Sequence, residues 1–323
     1  MRPSTTSDRG AEFLGAAVLL ICFNRPALTR KAFELVRKAK PSFLYVASDG
    51  PRPSRPTDAP LCDEVRSIFD EIDWPCHIER DFAPENMGCE RRIITALQRT
   101  FEHVDRAIVM EDDLAPRDGF FEYCTTMLDR YADTPRIGTI AGSSYVRTSV
   151  IGRSSYYFSR YPNTLGWGTY KRTIDGIDWH PDPDDVADQL RRVLRRSHEA
   201  DVWADNLRMT YNGTVSTWDY QFVVSQLLAR NLSVTPRRSM VLNVGAGPDA
   251  TNTPSYIPFL HRPSYPAPTA IRHPRRVRRA ILLDELHSLG AIPPANDIFL
   301  KLKPYGQEAR LRLVDHHTFG RVA

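Results

Sequence analysis

Short apolar runs recur along the first half of the chain, and longer segments with a polar face separate them. The runs at residues 18–23, 43–48 and 107–110 are rich in valine, isoleucine and leucine. Such runs are typical of strands that are covered on both faces of a parallel sheet. The pattern predicts these three strands, and a further strand at residues 76–82 that falls between the second and the third.

Amphipathic segments at residues 27–38, 62–72, 89–103 and 120–131 alternate with these strands, and a fifth strand is predicted at residues 137–141. Strands that alternate with helices favour right-handed crossovers, which make neighbouring strands parallel. The sequence therefore predicts an α/β fold, with a mainly parallel sheet and helices on both faces.

The second half of the chain is less regular. Helices are expected at three segments, and two short strands are expected within residues 232–244. The helical segments are residues 182–196, 199–211 and 218–230. Before them, residues 156–170 are rich in aromatic side chains and place Trp167 between two glycines. An aromatic ring there suits either a sugar-binding pocket or a core beneath a loop, and the local pattern leaves both interpretations open.

The two ends of the chain differ in composition from the middle. Residues 1–14 are expected to form a disordered tail, and residues 256–323 form a proline- and arginine-rich C-terminal extension. Within the extension, Arg275, Arg276, Arg278 and Arg279 precede an apolar run at residues 280–289. This run fits either a helix packed on the main domain or a helix at a membrane surface.

Charge and cysteine content narrow the class of protein. The formal net charge of +4 comes from 43 basic and 39 acidic residues, so the chain is not a strongly basic nucleic-acid binder. The five cysteines have no paired metal-binding spacing. We interpret them as reduced thiols and expect a cytoplasmic protein, with possible peripheral contact to a membrane.

Three consecutive carboxylates, Glu111, Asp112 and Asp113, follow the strand at residues 107–110. Ligands of parallel sheets bind at the carboxyl ends of the strands, and Asp49 and Asn86 follow two other predicted strands. Oxygen ligands favour Mg²⁺ or Mn²⁺. The triplet alone could also be a solvated acidic turn that caps the next helix, but the expected clustering favours a metal site.

Five motifs, in this order, resemble nucleotide-sugar glycosyltransferases of the GT-A fold, especially the branch around N-acetylglucosaminyltransferase I and its bacterial relatives. They are Phe23-Asn24-Arg25-Pro26, Ser48-Asp49-Gly50, Glu111-Asp112-Asp113, Leu165-Gly166-Trp167-Gly168 and Trp218-Asp219. The resemblance implies a Rossmann-like GT-A domain over residues 15–255. No phosphate-binding glycine motif follows strand one.

The resemblance also implies roles for single residues. Asp113 is implied as the metal ligand, Asp112 lies toward the donor ribose or sugar, and Glu111 lies nearby. Arg25 and Asp49 match positions that contact the nucleotide. Residues 250–253 supply no late histidine ligand, although many related enzymes have one. The implied cofactors are Mn²⁺ or Mg²⁺ and a nucleotide-sugar donor of the UDP type.

Asp219 matches the acid that deprotonates the acceptor hydroxyl, and we expect Trp167 beside the donor sugar or the acceptor rather than deep in the core. A carboxylate base implies a single displacement with inversion at the anomeric carbon. Asp219 could instead be a simple helix-terminal acid.

The function expected from the sequence is therefore metal-dependent transfer of a sugar to a glycan, glycolipid or small-molecule hydroxyl. A sugar nucleotidyltransferase is the second hypothesis, because it also combines an α/β sheet with acidic metal ligands. A non-catalytic carbohydrate-binding protein is the third, although such a protein has little reason to keep Asp113 and Asp219 together.

Overall fold

The computed structural model of the chain describes residues 14–146, 152–245 and 263–291. Its strands are β1 (Ala17–Cys22), β2 (Phe43–Ser48), β3 (His77–Phe82), β4 (Arg106–Glu111), β5 (Leu114–Pro116), β6 (Ile137–Ala141), β7 (Tyr156–Ser159), β8 (Trp167–Tyr170), β9 (Leu232–Pro236) and β10 (Val241–Asn243). Its α-helices are α1 (Pro26–Ala39), α2 (Asp58–Ser67), α3 (Cys89–His103), α4 (Phe120–Arg130), α5 (Lys171–Asp175), α6 (Pro183–Val193), α7 (Ser197–Tyr211), α8 (Asp219–Leu228) and α9 (Ile281–Ala291).

Eight strands form one sheet in the order β3-β2-β1-β4-β8-β6-β9-β7. The pairs β1 with β2, β1 with β4, β2 with β3, and β6 with β9 are parallel. Strands β8 and β7 run antiparallel to their neighbours. The predicted α/β fold with a mainly parallel sheet is confirmed.

Alternate residues of the central strands face opposite sides of the sheet, and both sides are buried. Val18 and Leu20 of β1 pack on one side with Phe33 of α1, while Leu19 packs on the other side with Leu97 of α3. A strand that is covered on both faces needs apolar residues at every position, since neither face meets water. This explains why the central strands appear in the sequence as continuous apolar runs.

The aromatic stretch of the second half folds as two strands, which the sequence analysis did not predict. β8 lies antiparallel between β4 and β6, and it pairs Gly168 with Ile108. A Cβ at Gly168 would lie 3.1 Å from Cδ1 of Leu128 in α4. Glycine thus lets α4 pack closely on the sheet. Because glycine is uncommon inside strands, its presence also kept the sequence pattern from predicting β8.

Strands β5 and β10 form a second, two-stranded antiparallel sheet. β5 begins immediately after the acidic triplet, and the backbone N–H of Val244, just beyond β10, donates to the carbonyl of Asp113 at 2.8 Å. This small sheet holds the end of β10 beside the tip of β4. The sequence predicted β9 and β10 as two short strands, but it did not predict β5.

The described part of the C-terminal extension packs on the main domain. The Ala267 N–H donates to the carbonyl of Asp118 at 2.9 Å, and the Ser155 N–H donates to the carbonyl of Arg272 at 2.8 Å. Helix α9 contacts β7, the last strand of the sheet. The expected disordered tail lies almost wholly outside the described residues, as does the segment at residues 250–253. Among the described residues, no helix is long and apolar enough to cross a membrane.

Trp167 lies in the core, and our expectation that it would be outside the deep core is wrong on this point. Its side chain is 1% exposed, its ring stacks on Trp218 at 5.8 Å between centroids, and it contacts Phe222 at 4.9 Å. The physical reason is strand β8, which turns residue 167 toward the helices that cover one side of the sheet. The aromatic ring therefore fills space between β8 and α8.

We predict that Trp167→Ala lowers the free energy of unfolding by about 3–5 kcal/mol, because it removes a fully buried ring and leaves a cavity. Trp167→Phe should have a smaller effect, since it keeps an aromatic ring in the same place. Urea unfolding followed by circular dichroism measures both changes. A change below about 1 kcal/mol for Trp167→Ala would contradict the core placement.

Candidate functional site

The carboxyl ends of β2, β1 and β4 lie side by side, and each outer strand contributes an acid next to β1. The N–H of Asp49 donates to the carbonyl of Cys22 at 3.1 Å, and the N–H of Asp112 donates to the carbonyl of Ile21 at 2.9 Å. Strand pairing therefore continues one residue beyond each strand. This backbone register brings the loops after β1, β2 and β4 to one edge of the sheet.

Arg25 joins the loop after β1 to the acidic tip of β4. It is the residue before α1, and its guanidinium forms an ion pair with Asp112 and lies 3.3 Å from Asp113. The Thr29 hydroxyl of α1 donates to Asp112 at 3.3 Å. The sequence-predicted residues Arg25, Asp112 and Asp113 are thus brought together, with one positive charge between two negative charges.

The two aspartates at the tip of β4 differ in their exposure to solvent. Asp112 is 3% exposed, and burial raises its pKa to about 6 even though Arg25 and its hydrogen bonds oppose the rise. The Asp113 side chain is 17% exposed and faces Gly245, where an added Cβ would collide with the carboxylate. Glycine at 245 thus lets the backbone beyond β10 pack directly against the Asp113 carboxylate. Of the two aspartates, Asp113 is the more exposed.

The donor set fits one kind of metal binding and not another. Across residues 14–146, 152–245 and 263–291, no three histidine, cysteine, aspartate or glutamate side chains converge to hold a metal ion. A cage built by the protein alone is therefore not present in this part of the chain. Mg²⁺ and similar ions are commonly held by one or two carboxylates together with substrate phosphates. The accessible carboxylate of Asp113 fits that shared arrangement.

Glu111 is crowded by the acids around it. Burial raises the pKa of its carboxyl, the negative charges of Asp113 and Asp112 raise it further, and Arg25 opposes the rise. Asp219 also acts on Glu111, although the two residues are 108 positions apart in the chain. The negative charge of Asp219 thus contributes to the raised pKa of Glu111, as the smallest of the effects named.

Asp219 is the first residue of α8 and is half-buried. The Thr217 hydroxyl donates a hydrogen bond to its carboxylate. Burial raises the pKa of Asp219, and the bond from Thr217 partly offsets the rise. Within the described part of the chain, Asp219 forms no salt bridge, so its carboxylate is oriented by a neutral group and is not neutralised by a cation.

The position of α8 is fixed by contacts that sequence reasoning missed. Trp218 stacks on Trp167, and the Gln221 amide donates to Glu90 in the first turn of α3 at 2.7 Å. Gln221 and Glu90 are 131 residues apart, and neither belongs to a motif, so no sequence signal could have paired them. Trp167 thus supports the helix that carries Asp219, while its predicted contact with a sugar stays a prediction.

The carboxylate of Asp49 is hydrogen-bonded by groups in the loops after β2 and β3. Its carboxylate accepts hydrogen bonds from the N–H groups of Gly50 and Met87, both at 2.8 Å, and from the Asn86 amide at 3.0 Å. It is 6% exposed, and an added Cβ at Gly50 would collide with the backbone of Glu85. Asp49 therefore joins the loops after β2 and β3, and its predicted contact with a nucleotide stays a prediction.

Asp58, at the start of α2, was not identified from the sequence. Its buried carboxylate accepts from the Asn24 amide at 2.8 Å and from Arg52 through Nε at 2.5 Å and Nη2 at 2.9 Å. The guanidinium of Arg52 in turn lies 5.1 Å from the ring centroid of Phe23. Asp58 thus fixes the loop that carries Arg25 to the loop after β2. No motif marked it, because it lies between the predicted strand at residues 43–48 and the predicted helix at residues 62–72.

Neither a protein-family model nor a curated protein matches the chain. Many solved structures are similar to it, among them two at low sequence identity. One is UDP-glucose pyrophosphorylase complexed with UDP-glucose, at 9% identity and a TM-score of 0.36, covering 72% of this chain and 94% of that chain. The other is mannose-1-phosphate geranyltransferase from Thermus thermophilus, at 12% identity and a TM-score of 0.33, covering 68% of this chain and 74% of that chain. Similarities this low carry no argument about function.

We predict that Asp58→Asn destabilises the fold in a pH-dependent way. The hydrogen bonds from Arg52 lower the pKa of Asp58 from 3.8 to about 2. The ionised group therefore stabilises the native state above its ordinary pKa, and this stabilisation is lost as the pH falls toward 2. Asp58→Asn should lower the free energy of unfolding by about 1–3 kcal/mol at neutral pH, and the difference should close in acid.

Urea titrations at several pH values measure this difference. Asp63→Asn, on the exposed side of the same helix, is the matched control and should follow the parent protein. A deficit in Asp58→Asn that stays constant down to the lowest pH would show that the charge of Asp58 is not the stabilising feature.

Proposed function

We propose that this chain is a nucleotide-sugar-dependent glycosyltransferase of the GT-A type that works by a single displacement. The observation that carries the proposal is Asp219, a carboxylate without a cationic partner among the described residues, near a second group of acids that holds one arginine. Two separate acidic functions at one sheet edge suit a reaction with a charged leaving group and a hydroxyl nucleophile.

The donor half of the proposed site is the group of Arg25, Asp112 and Asp113. One guanidinium against two carboxylates leaves this group negative, so a diphosphate cannot approach it without an added cation. Asp113 would hold a divalent ion jointly with the phosphates of the donor. When bound, that ion would neutralise the charge that develops on the leaving diphosphate.

The chain's own residues would orient this half of the site. Thr29 and Arg25 both bind the Asp112 carboxylate. These contacts would hold the tip of β4 in one conformation while the donor binds and the product leaves. The partly exposed carboxylate of Asp113 is the part of this group that a ligand can reach. We propose a UDP-sugar as the donor, because the motif order resembles enzymes that use one.

The acceptor half of the proposed site is Asp219. The hydroxyl of a glycan, glycolipid or small molecule would donate its proton to this carboxylate as the hydroxyl oxygen attacks the anomeric carbon. Thr217 holds the carboxylate in place, and Trp218 and Gln221 hold the helix behind it. A base that acts directly on the acceptor requires no covalent sugar intermediate, so the product should be inverted.

The competing reaction is nucleotidyl transfer, in which the leaving group is pyrophosphate. Binding a triphosphate would need several cations at the strand ends. Of the arginines near this edge, Arg52 is paired with Asp58 and Arg66 donates to backbone carbonyls at Asp49 and Ala83. Phosphorus NMR of the products separates the two reactions. Release of a nucleoside diphosphate from a nucleotide sugar supports glycosyl transfer. Release of pyrophosphate from a nucleoside triphosphate and a sugar phosphate would instead support nucleotidyl transfer.

We predict that UDP binds far more tightly with Mn²⁺ than without it, because the donor half lacks a net positive charge. Isothermal titration calorimetry with and without the ion measures the difference. Asp113→Asn should lose most of the gain from the ion and remain folded by circular dichroism, since its side chain is partly exposed. Equal UDP affinity with and without Mn²⁺ in the parent protein would remove the metal from the proposal.

We also predict that Asp219→Asn keeps UDP and Mn²⁺ binding but lowers kcat by roughly 10²–10⁴-fold, because an amide cannot accept the proton of the acceptor. Steady-state transfer rates measure kcat, and calorimetry confirms donor binding. If kcat of Asp219→Asn equals that of the parent protein, Asp219 is a structural acid only.

The pH profile tests the same base independently. Burial raises the pKa of Asp219 above 3.8, so kcat should fall as the pH drops through that raised value and protonates the base. Thr217→Val removes a hydrogen bond that lowers this pKa. The acidic limb of the kcat profile should therefore move to higher pH in Thr217→Val, and an unmoved limb would assign it to another group.

A further inference from the structure

Helix α9 has its polar side toward the protein and its apolar side toward solvent. On the inner side, Leu283 is 4% exposed, and Asp284 and Ser288 are fully buried. The outward side carries four large apolar side chains, which we call the α9 face. They are Ile281, Leu282, Leu286 and Leu289, with exposures of 46%, 62%, 42% and 45%.

The inner contacts fix the rotation of this helix. Asp284 accepts from the Ser159 hydroxyl at 2.6 Å and is paired with Arg279, while the Ser288 hydroxyl donates to the buried Glu199 at 3.0 Å. Rolling the helix to bury its leucines would strip partners from Asp284 and Glu199, and unpaired buried carboxylates are strongly unfavourable. The outward direction of the apolar side is therefore built into the fold.

A basic segment leads into the α9 face. Arg275, Arg276 and Arg278 are exposed, and among the described residues none of them pairs with a carboxylate. Val277 between them is 38% exposed. Since these arginines lie within six residues of Ile281, their charges lie close to the apolar side chains. A partner for this surface has to be apolar at its centre and negative at its edge.

We propose that the α9 face and the basic segment dock on an anionic lipid surface. A short helix that presents leucines beside arginines binds in the plane of the membrane interface, with the apolar side chains among the acyl chains and the arginines at anionic headgroups. At 11 residues, α9 is too short to cross a bilayer, so it lies on the surface.

Charge disfavours two other occupants. A second copy of the chain would bring the same arginines against each other across a two-fold axis. Residues 292–323 hold five lysines and arginines against three acidic residues, so this segment is not complementary to the basic segment either. Anionic headgroups supply the missing negative charge.

Docking at α9 leaves the candidate site accessible. The helix contacts β7, and β7 is separated from β4 by three intervening strands, a distance of roughly 20 Å at the usual spacing of strands. The surface would therefore hold the enzyme at a membrane without covering Asp113 at the tip of β4. The proposal does not depend on which reaction the site performs.

Vesicle co-sedimentation of the full chain tests the proposal. We expect the parent protein to pellet with vesicles of phosphatidylcholine and phosphatidylglycerol in equal parts, and to pellet much less with phosphatidylcholine alone or at high salt. Arg275→Gln/Arg276→Gln should weaken binding to the anionic vesicles by roughly tenfold or more. Arg192→Gln/Arg195→Gln, which removes two exposed arginines near the end of α6, is the matched control and should bind like the parent.

Leu282→Gln tests the apolar part of the surface and should also weaken binding by roughly tenfold or more. Tyr211→Gln, at an exposed position on α7, is its control and should have no effect. Light scattering of the same proteins identifies the alternatives. If the parent protein pellets with neither kind of vesicle, the proposal is overturned. This holds both for a dimer that Leu282→Gln converts to a monomer and for a protein that is monomeric throughout.

Discussion

Electrostatic repulsion at the end of β4 is the constraint on which the candidate site depends. Three acids leave a buried strand together, and among the described residues Arg25 is the cation that stands against them at close range. The fold tolerates this because Asp112 is held by Arg25 and Thr29, Glu111 tends toward the neutral form, and Asp113 reaches partly into solvent. The charge left over is what the proposed divalent ion would neutralise.

Contacts between the surrounding loops and helix α8 hold the acidic side chains near the tip of β4 in fixed positions. Asp58 holds the loop of Arg25, Asp49 holds the loops after β2 and β3, and stacking of Trp167 on Trp218 holds α8. Each of these contacts joins segments that are distant in sequence. The protein itself therefore fixes the separation between Asp219 and the acids at the tip of β4.

The first half of the fold was predictable because its central strands are buried on both faces. Such strands need apolar residues at successive positions, and these appear in the sequence as continuous apolar runs. The strands β7 and β8 were missed, because Gly166 and Gly168 interrupt the aromatic pattern and suggested a pocket where Trp167 is in fact core. Motif order brought Arg25, Asp112 and Asp113 together correctly. The supporting bonds of Asp58 and Gln221 were not predictable, since they connect residues that no local pattern relates.

The anomeric configuration of the product tests the central claim, that Asp219 acts as the base in a single displacement, most directly. Proton NMR of a transfer reaction at early times, with a UDP-sugar of known configuration, reports it from the coupling constant of the anomeric proton. We predict a product of inverted configuration. A product of retained configuration would contradict the assignment of Asp219 as base, because retention requires a second displacement or a different attack on the donor.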